Sequence, residues 1–293
     1  MNQYVHVNHI RLHYLDRPGG EPPLLLLPGL TANAHSLDGL AARLSPRFRT
    51  LAVDFRGRGL SDKPETGYGM ADYAADVLGL LDALGLETAV PVGHSFGALV
   101  GLILAARHPA RVPALVFLDS SHLLITERTV QLVKASLDRL GQTLPSRDAY
   151  LAAMRQMPYL QGYWDADLES FYRHDVLENA DGSVQTHTRP HVIAQTIDAE
   201  YAEPWLDHVR AVRQPVLLLN ATAPYGPPGA PPILPEEMAR ETAALFANCT
   251  YHPIPGNHMT AIFGANADRI VHAVSWFLAD VGFGMSDFGE GDG

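Results

Sequence analysis

Short, wholly apolar runs alternate with segments of helical spacing along most of the chain. Such runs are typical of strands buried on both faces of a parallel sheet, with helices covering those faces. The pattern predicts strands at residues 5–7, 10–14, 24–27, 50–53, 89–92, 114–118, 216–219 and 250–254. It predicts helices at residues 37–44, 73–84, 98–107, 236–246 and 265–278. The sequence therefore indicates an α/β fold with a mostly parallel eight-stranded sheet, whose first two strands pair in antiparallel fashion.

This alternation stops near residue 121 and resumes near residue 213. The intervening segment is richer in aromatic and charged residues and has helical spacing. An insertion between two sheet strands lies above the sheet edge, where ligands bind in such folds. We therefore predict a core formed by residues 1–120 and 213–281, a helical cap at residues 121–212, and a disordered, glycine-rich acidic tail at residues 282–293.

One turn in the predicted core carries the clearest chemical signal. Residues 93–97 read Gly-His-Ser-Phe-Gly and join an apolar strand to a long apolar helix. In that context G-x-S-x-G predicts a nucleophile elbow, whose tight turn is flanked by glycines and exposes the hydroxyl of Ser95. The alternative is a glycine-rich structural turn with a capping serine. The strand before the motif and the helix after it favour the nucleophile.

Composition and charge narrow the possible partners. The formal net charge is −11, which argues against nucleic acids and anionic membranes as partners. The single cysteine, Cys249, excludes an intramolecular disulfide, and no apolar stretch is long enough to span a bilayer. We expect a cytoplasmic monomer or homodimer that acts on a small molecule. The scattered histidines, including His6, His9 and His13, are not spaced as a metal site.

The chain resembles the α/β-hydrolase superfamily over nearly its whole length, and four segments carry this resemblance. They are residues 24–30 (LLLLPGL), 54–64 (DFRGRGLSDKP), 93–97 (GHSFG) and 255–259 (PGNHM). The resemblance implies the α/β-hydrolase fold and a catalytic triad in the chain order Ser, acid, His. These motifs are specific for the superfamily but are poor guides to substrate.

The resemblance also implies the partners of Ser95. His258, in the late G-x-H segment, is the expected base. His94 diverges from Ser95 at the tight turn, and His252 lies within a predicted strand, so both are weaker candidates. The expected oxyanion hole consists of the backbone N–H groups of Leu30 and Phe96.

The catalytic acid departs from the common superfamily pattern. Most relatives carry an aspartate shortly after the strand that is residues 216–219 here, but residues 220–235 contain no carboxylate. Asp119 stands at the tip of the strand next to the elbow strand, 24 residues after Ser95. Haloalkane dehalogenases and zearalenone lactonase-like hydrolases keep their acid at this place. We therefore predict Asp119 as the acid, although many relatives carry a non-catalytic aspartate there.

The other carboxylates fit the site less well. Asp54 ends a strand on the same side of the sheet, but the Arg56-Gly57-Arg58 loop beside it suggests a local structural ion pair. The cap carboxylates could enter the site only by chance geometry; they are Asp198, Glu200, Glu203 and Asp207.

These expectations lead to a serine hydrolase that cleaves an ester or lactone through an acyl-enzyme, without a metal or cofactor. The aromatic cap suggests a medium-sized, largely apolar substrate, and the acidic chain suggests one that is uncharged or cationic. Predicted substrate contacts are Trp164, Tyr163, Met154 and Tyr159, although each could instead belong to the cap's own core. Two alternatives remain open: a cofactor-independent dioxygenase of the same fold, and a hydrolase-like ligand receptor.

Overall fold

The computed structural model describes residues 2–283, so nearly all of the predicted tail at 282–293 lies outside the described residues. The strands are β1 (Asn2–Val7), β2 (Ile10–Arg17), β3 (Leu24–Leu27), β4 (Thr50–Asp54), β5 (Val90–His94), β6 (Leu115–Leu118), β7 (Thr143–Leu144), β8 (Val176–Glu178), β9 (Val184–Thr186), β10 (Val216–Ala221) and β11 (Cys249–Ile254). The helices are α1 (Asp38–Leu44), α2 (Met70–Ala83), α3 (Phe96–Arg107), α4 (Glu127–Leu132), α5 (Lys134–Asp138), α6 (Arg147–Arg155), α7 (Ala166–Arg173), α8 (Pro190–Tyr201), α9 (Trp205–Ala211), α10 (Glu236–Leu245) and α11 (Gly264–Asp280).

The central sheet has eight strands in the order β1-β2-β4-β3-β5-β6-β10-β11. The β1–β2 and β2–β4 pairs are antiparallel, and the five other pairs are parallel. The predicted eight-stranded, mostly parallel sheet is therefore confirmed. Its central strands are apolar because helices cover both faces, and all four leucines of β3 are fully buried.

The register of the central strands determines which residues meet at one edge of the sheet. His94, the last residue of β5, pairs with Leu118, the last residue of β6. The backbone N–H of Ser95 donates to the Leu118 carbonyl (2.9 Å), and that of Asp119 donates to the Leu219 carbonyl (2.6 Å). The residues just after β5 and β6 therefore lie side by side at the carboxyl edge, where parallel sheets bind ligands.

The segment at residues 121–212 contains helices α4 to α9 and a small antiparallel sheet of order β7-β9-β8. This sheet was not predicted, because strands of two or three residues are too short to show an alternating pattern. The segment predicted as a helical cap therefore contains a small sheet in addition to its six helices. Helix α9, at the end of the segment, packs against the core helix α3.

Asp54 at the end of β4 has a different partner from the one expected. Its carboxylate lies 2.7 Å from Nδ1 of His13, and both side chains are buried. Arg56 instead pairs with Asp76 at 2.6 Å, so the expected local ion pair with the arginine loop is wrong. Because the His13–Asp54 pair links β2 to β4, it braces the antiparallel end of the sheet. Among the described helices, none is both long and apolar enough to cross a bilayer.

Candidate active site

Ser95 occupies a strained turn between β5 and α3. Its backbone adopts φ 56° and ψ −118°, a region that residues other than glycine rarely occupy. A Cβ on Gly93 would lie 2.4 Å from the Gly97 carbonyl oxygen, and one on Gly97 would lie 2.1 Å from the Leu27 carbonyl oxygen. Only glycine fits at either position, so the sequence forces the sharp turn that raises Ser95 above the sheet.

The structure brings together the three residues predicted as a triad. Ser95 Oγ lies 3.0 Å from Nε2 of His258, and Nδ1 of His258 lies 2.6 Å from Oδ2 of Asp119. Both distances are within hydrogen-bonding range, and the serine, imidazole and carboxylate follow in the order that nucleophilic catalysis requires. Asp119 is buried, and the His258 side chain remains 11% exposed.

Buried donors hold the Asp119 carboxylate in place. Its Oδ1 accepts hydrogen bonds from the Ala221 backbone N–H (2.8 Å) and from the side-chain amide of Asn220 (3.1 Å). The Asn220 amide also donates to the Leu234 carbonyl, and its oxygen accepts from the Tyr251 hydroxyl. Asn220 opens the segment that lacks carboxylates. Its supporting role was not predicted, since an asparagine has no distinctive sequence signal there.

Two other side chains position His258. His94 Nε2 lies 2.8 Å from the His258 carbonyl oxygen, and burial, followed by the nearby His258, lowers the pKa of His94 well below its ordinary value. His94 is therefore a neutral donor to the loop and lies behind the triad. The Asn257 side chain donates to the Tyr159 carbonyl at 2.8 Å, which ties the loop to the cap segment. His252 instead stacks edge-on against Trp276.

The predicted oxyanion residues both line the cavity beside Ser95. Phe96 is the first residue of α3, so its N–H has no acceptor within the helix ladder. Leu30 follows Gly29, where a Cβ would lie 3.3 Å from the His94 ring. The Leu30 carbonyl accepts from Arg58 Nε at 3.0 Å, which fixes this loop. Both residues therefore lie beside Ser95, as the predicted oxyanion hole requires.

A cavity of about 90 Å³ adjoins Ser95. Much of its lining is apolar, and about half of the lining residues come from the core. These are Gly29, Leu30, Thr31, Ala32, Ser36, His94, Ser95, Phe96, Tyr225, Ile233, His258, Met259 and Ile262. The 121–212 segment supplies the others, which are Leu124, Ile125, Thr129, Val133, Ser136, Leu137, Arg139, Phe171, Tyr172 and Glu200.

The four predicted substrate contacts lie elsewhere. Among the described residues, the cavity lining includes none of Trp164, Tyr163, Met154 and Tyr159. Trp164 and Tyr159 stack behind the lining residues Tyr172 and Tyr225, respectively. The Tyr163 hydroxyl donates to the Phe263 carbonyl at 2.6 Å, and Met154 is buried. These residues support the wall from behind, so their assignment as direct contacts is corrected.

Two ionisable residues of the cavity lining, Arg139 and Glu200, were not predicted as part of the site. Arg139 follows α5 and pairs with the buried Asp175. It also donates to the carbonyl (3.1 Å) and hydroxyl (3.2 Å) oxygens of Thr31, next to Leu30. Arg139 thus fastens the oxyanion loop to the 121–212 segment. Glu200 on α8 was expected to reach the site only by chance geometry, yet it lines the same cavity.

The environment of Glu200 is unfavourable for a charged carboxylate. The residue is fully buried, and neither carboxyl oxygen has a hydrogen-bond partner among the described groups. Burial raises the pKa of Glu200 from 4.5 to about 8, and the positive charge of Arg58 offsets only part of this effect. Glu200 therefore carries its proton at neutral pH.

This raised pKa makes stability depend on pH in a defined direction. Because the pKa of Glu200 is higher in the folded than in the unfolded state, this group's contribution to stability is fully present below pH 4.5. It is lost as the pH rises through about 8. Glu200→Gln removes the titration. As the pH rises through this interval, the free energy of unfolding of the wild type should fall relative to that of Glu200→Gln by about 1.4 kcal/mol per pH unit. Urea unfolding across the interval tests this expectation, with the exposed Glu237→Gln as control. Parallel stability curves for wild type and Glu200→Gln would contradict it.

Comparison with known families agrees with the observed fold. Residues 22–265 match the family model described as the alpha/beta hydrolase fold, which is more than half of the chain. A crystal structure of E-2-(acetamidomethylene)succinate hydrolase superposes with a TM-score of 0.83 at 26% sequence identity, covering 95% of this chain and 99% of that one. The fold is therefore shared with this family.

Three curated proteins are similar over part of the chain. The 2-(acetamidomethylene)succinate hydrolase of Mesorhizobium japonicum is 38% identical over 52% of this chain and 55% of its own length. The N-formylmaleamate deformylase of Pseudomonas putida is 40% identical over 39% and 43%. A 2-heptyl-3-hydroxy-4-quinolone dioxygenase of Rhodococcus erythropolis is 33% identical over 41% and 46%. The chain thus matches about half the length of these relatives.

Proposed function

Because the chain belongs to the α/β-hydrolase fold family, we propose that it is a serine hydrolase that cleaves a carboxylic ester or lactone through an acyl-enzyme. One observation carries this proposal. Ser95 Oγ, the His258 ring and the Asp119 carboxylate form a hydrogen-bonded series with distances of 3.0 and 2.6 Å. The series opens into a cavity lined by residues of the core and of the 121–212 segment, as expected of a site that encloses a small molecule.

The proposed reaction uses each of these groups in turn. His258 Nε2 takes the Ser95 proton as Oγ attacks the substrate carbonyl, and the Leu30 and Phe96 N–H groups stabilise the oxyanion. His258 then gives the proton to the leaving alcohol. It next removes a proton from water, which attacks the acyl-enzyme; His258 then returns this proton to Ser95 Oγ as the acid is released. Asp119 holds Nδ1 of His258 and stabilises the imidazolium in both halves.

The relatives suggest a further scissile group. The names 2-(acetamidomethylene)succinate hydrolase and N-formylmaleamate deformylase both point to an N-acyl bond in an acidic molecule. The proposed chemistry extends to such a bond, since His258 can protonate a leaving nitrogen as it does a leaving oxygen. N-acyl compounds therefore belong in any substrate survey beside esters and lactones.

The cavity wall supplied by residues 121–212 should set substrate size. Leu137 lines the cavity from α5, so Leu137→Ala should shift kcat/KM towards longer acyl chains by about tenfold without changing the reaction. A series of p-nitrophenyl esters from acetate to decanoate measures this shift. Leu206→Ala is the control, because Leu206 is exposed on α9. An unchanged chain-length profile in Leu137→Ala would argue against this wall as a substrate contact.

A dioxygenase of the same fold is the second candidate, and the similarity to the Rhodococcus dioxygenase favours it. In such chemistry His258 and Asp119 would deprotonate the substrate and Ser95 would not be acylated. A ligand receptor would use the same cavity without turnover. The two alternatives therefore differ from the hydrolase in oxygen uptake and in turnover number.

A single survey separates the three candidates. The protein is incubated with esters, lactones, N-acyl compounds and hydroxyquinolones while acid release and oxygen consumption are followed. The serine hydrolase predicts many turnovers with acid release and no oxygen uptake. Oxygen uptake with a heteroaromatic substrate would instead establish the dioxygenase. Binding without turnover across the whole set would favour the ligand receptor.

A further inference from the structure

Glu200 has no function in the proposed triad, yet it opens into the same cavity as Ser95. It is fully buried near the end of α8, and both of its carboxyl oxygens lack a hydrogen-bond partner among the described groups. A buried polar group without a partner destabilises a fold, and in native proteins it commonly marks a place where something binds. The orphaned carboxyl therefore points to a ligand group that satisfies it.

Arg58 lies close behind this carboxyl. Its guanidinium donates to the Thr196 hydroxyl at 3.1 Å, and Thr196 and Glu200 lie on the same face of α8, one turn apart. The other acceptors around Arg58 are also neutral: the carbonyls of Leu30 and Arg56 and the Tyr73 hydroxyl. Arg58 is completely buried, and among the described residues no carboxylate forms a hydrogen bond with it.

The charge balance of this pair decides what the cavity can accept. When Glu200 carries its proton, the positive charge of Arg58 stays uncompensated in the protein interior. A buried charge without a counter-charge is unfavourable, so a negative ligand group near Glu200 would stabilise the region. An ammonium group there would add a second positive charge. The local field therefore favours an anion, in contrast to the expectation drawn from the acidic net charge.

We propose that Glu200 binds a free carboxylate of the substrate, donating its carboxyl proton to that group while the charge of Arg58 stabilises it from behind. This inference rests on the proposed hydrolase function and names its substrate class. The substrate is an ester, lactone or N-acyl compound that carries a second, unreacted carboxylate. That carboxylate lies at Glu200 when the scissile carbonyl lies at Ser95.

Other ionisable groups face Glu200 and enter any pH dependence. In the cavity they are His94, Arg139, Tyr172, Tyr225 and His258, and behind it Arg58 and Tyr73. Glu200 also borders an outer groove, where the ionisable groups are His122, Tyr201, Glu203 and Asp207. Since several of these could titrate, the test compares wild type with a variant that differs only at Glu200.

The first test uses matched esters. The mono-p-nitrophenyl esters of adipic, pimelic and suberic acid are compared with partners in which an isopropyl group replaces the carboxylate. The measured quantity is kcat/KM for the acid-ended ester divided by kcat/KM for its isopropyl partner. At one chain length this ratio should be about 10- to 100-fold higher in the wild type than in Glu200→Leu, as expected for a charge-assisted hydrogen bond. Asp198→Asn, on the exposed face of the same helix, should leave this ratio unchanged.

The pH dependence of the same ratio identifies the ligand chemistry. The wild-type preference for the acid should fall as the pH rises through about 8, because an ionised Glu200 repels a carboxylate. Glu200→Gln should show no such fall. Esters ending in a carboxamide or an ammonium group complete the series. Preference for either over the carboxylate, or equal ratios in wild type and Glu200→Leu, would overturn the proposal.

A binding experiment tests the inference without turnover. Adipate, pimelate and suberate are titrated by calorimetry into Ser95→Ala protein at about pH 8, in buffers of different ionisation enthalpy. Binding should be accompanied by proton uptake, which the added Glu200→Gln change abolishes. Equal uptake in both proteins would refute the assignment of Glu200. If no ester is hydrolysed and Ser95 resists acylation, the hydrolase proposal fails, while this titration still decides the carboxylate site.

Discussion

Ser95→Ala should reduce kcat by about a millionfold, the loss seen when the nucleophile of a triad is removed. The reason is direct: Oγ is the atom that forms the acyl bond, and it lies 3.0 Å from Nε2 of His258. The fold should survive, because His258 is the only side chain that Ser95 Oγ contacts by hydrogen bond within the described chain. Stopped-flow and steady-state kinetics with an activated ester check the loss of activity, and the melting temperature checks that the fold survives.

A second cavity serine provides the control for that variant. Ser36 also lines the cavity, and its hydroxyl donates to the Asn33 carbonyl within a local turn. Ser36→Ala should lose some stability and keep most of its turnover. If Ser95→Ala retained more than about a thousandth of the wild-type rate, well above the expected residual activity, Ser95 would not be the nucleophile.

Asp119→Asn should lower kcat by about four orders of magnitude, as expected when a triad acid becomes an amide. An amide nitrogen facing His258 would donate to Nδ1, so the ring would carry its proton on Nε2 and could not accept one from Ser95. The amide oxygen could still accept from the Ala221 N–H, as Oδ1 does at 2.8 Å in the wild type. The rate of ester hydrolysis and a circular dichroism spectrum measure the two outcomes.

Asp54→Asn is the matched control for Asp119→Asn. Asp54 is also a buried aspartate at a strand end that contacts Nδ1 of a histidine, His13, at 2.7 Å. The Asp54→Asn variant should be less stable than the wild type while keeping its turnover per folded molecule. Glu236→Gln, in the exposed first turn of α10, should be nearly silent. Activity retained in Asp119→Asn, with loss in Glu236→Gln, would place the acid after β10 instead.

The sequence located the sheet well because buried parallel strands are continuous apolar runs. β3 begins and ends as predicted, and α3 begins at Phe96, two residues before the predicted start, because the helix begins directly at the elbow. The edge strand β1 is longer than predicted, since most of its residues are exposed and carry no apolar signal. The small sheet around β9 lacked any periodic signal.

The site was predictable as far as strand ends determine it. Ser95 and Asp119 follow neighbouring parallel strands, so topology alone places them together at one edge. The cap side chains follow no such rule, because helix packing decides which aromatic faces the cavity. Tyr172 lines the cavity, whereas Tyr163 turns towards Phe263. Nothing in the sequence distinguished these two tyrosines.

The proposed carboxylate site differs from the substrate that net charge suggested. The chain carries −11 overall, which suggested an uncharged or cationic substrate. Arg139, which lines the cavity, is already paired with Asp175, whereas Arg58 lies behind Glu200 and its hydrogen-bond partners are neutral. Because a buried charge is screened far less than a surface charge, the proposal gives these two arginines more weight than the distant acidic surface.

Mapping of a covalent fluorophosphonate adduct tests the central claim most directly. The reagent phosphonylates an activated serine, and digestion followed by mass spectrometry locates the modified peptide. The account predicts one adduct per chain at Ser95, formed slowly in Asp119→Asn and absent in Ser95→Ala. An adduct at Ser120 or Ser121, or no adduct on protein that hydrolyses esters, would contradict it.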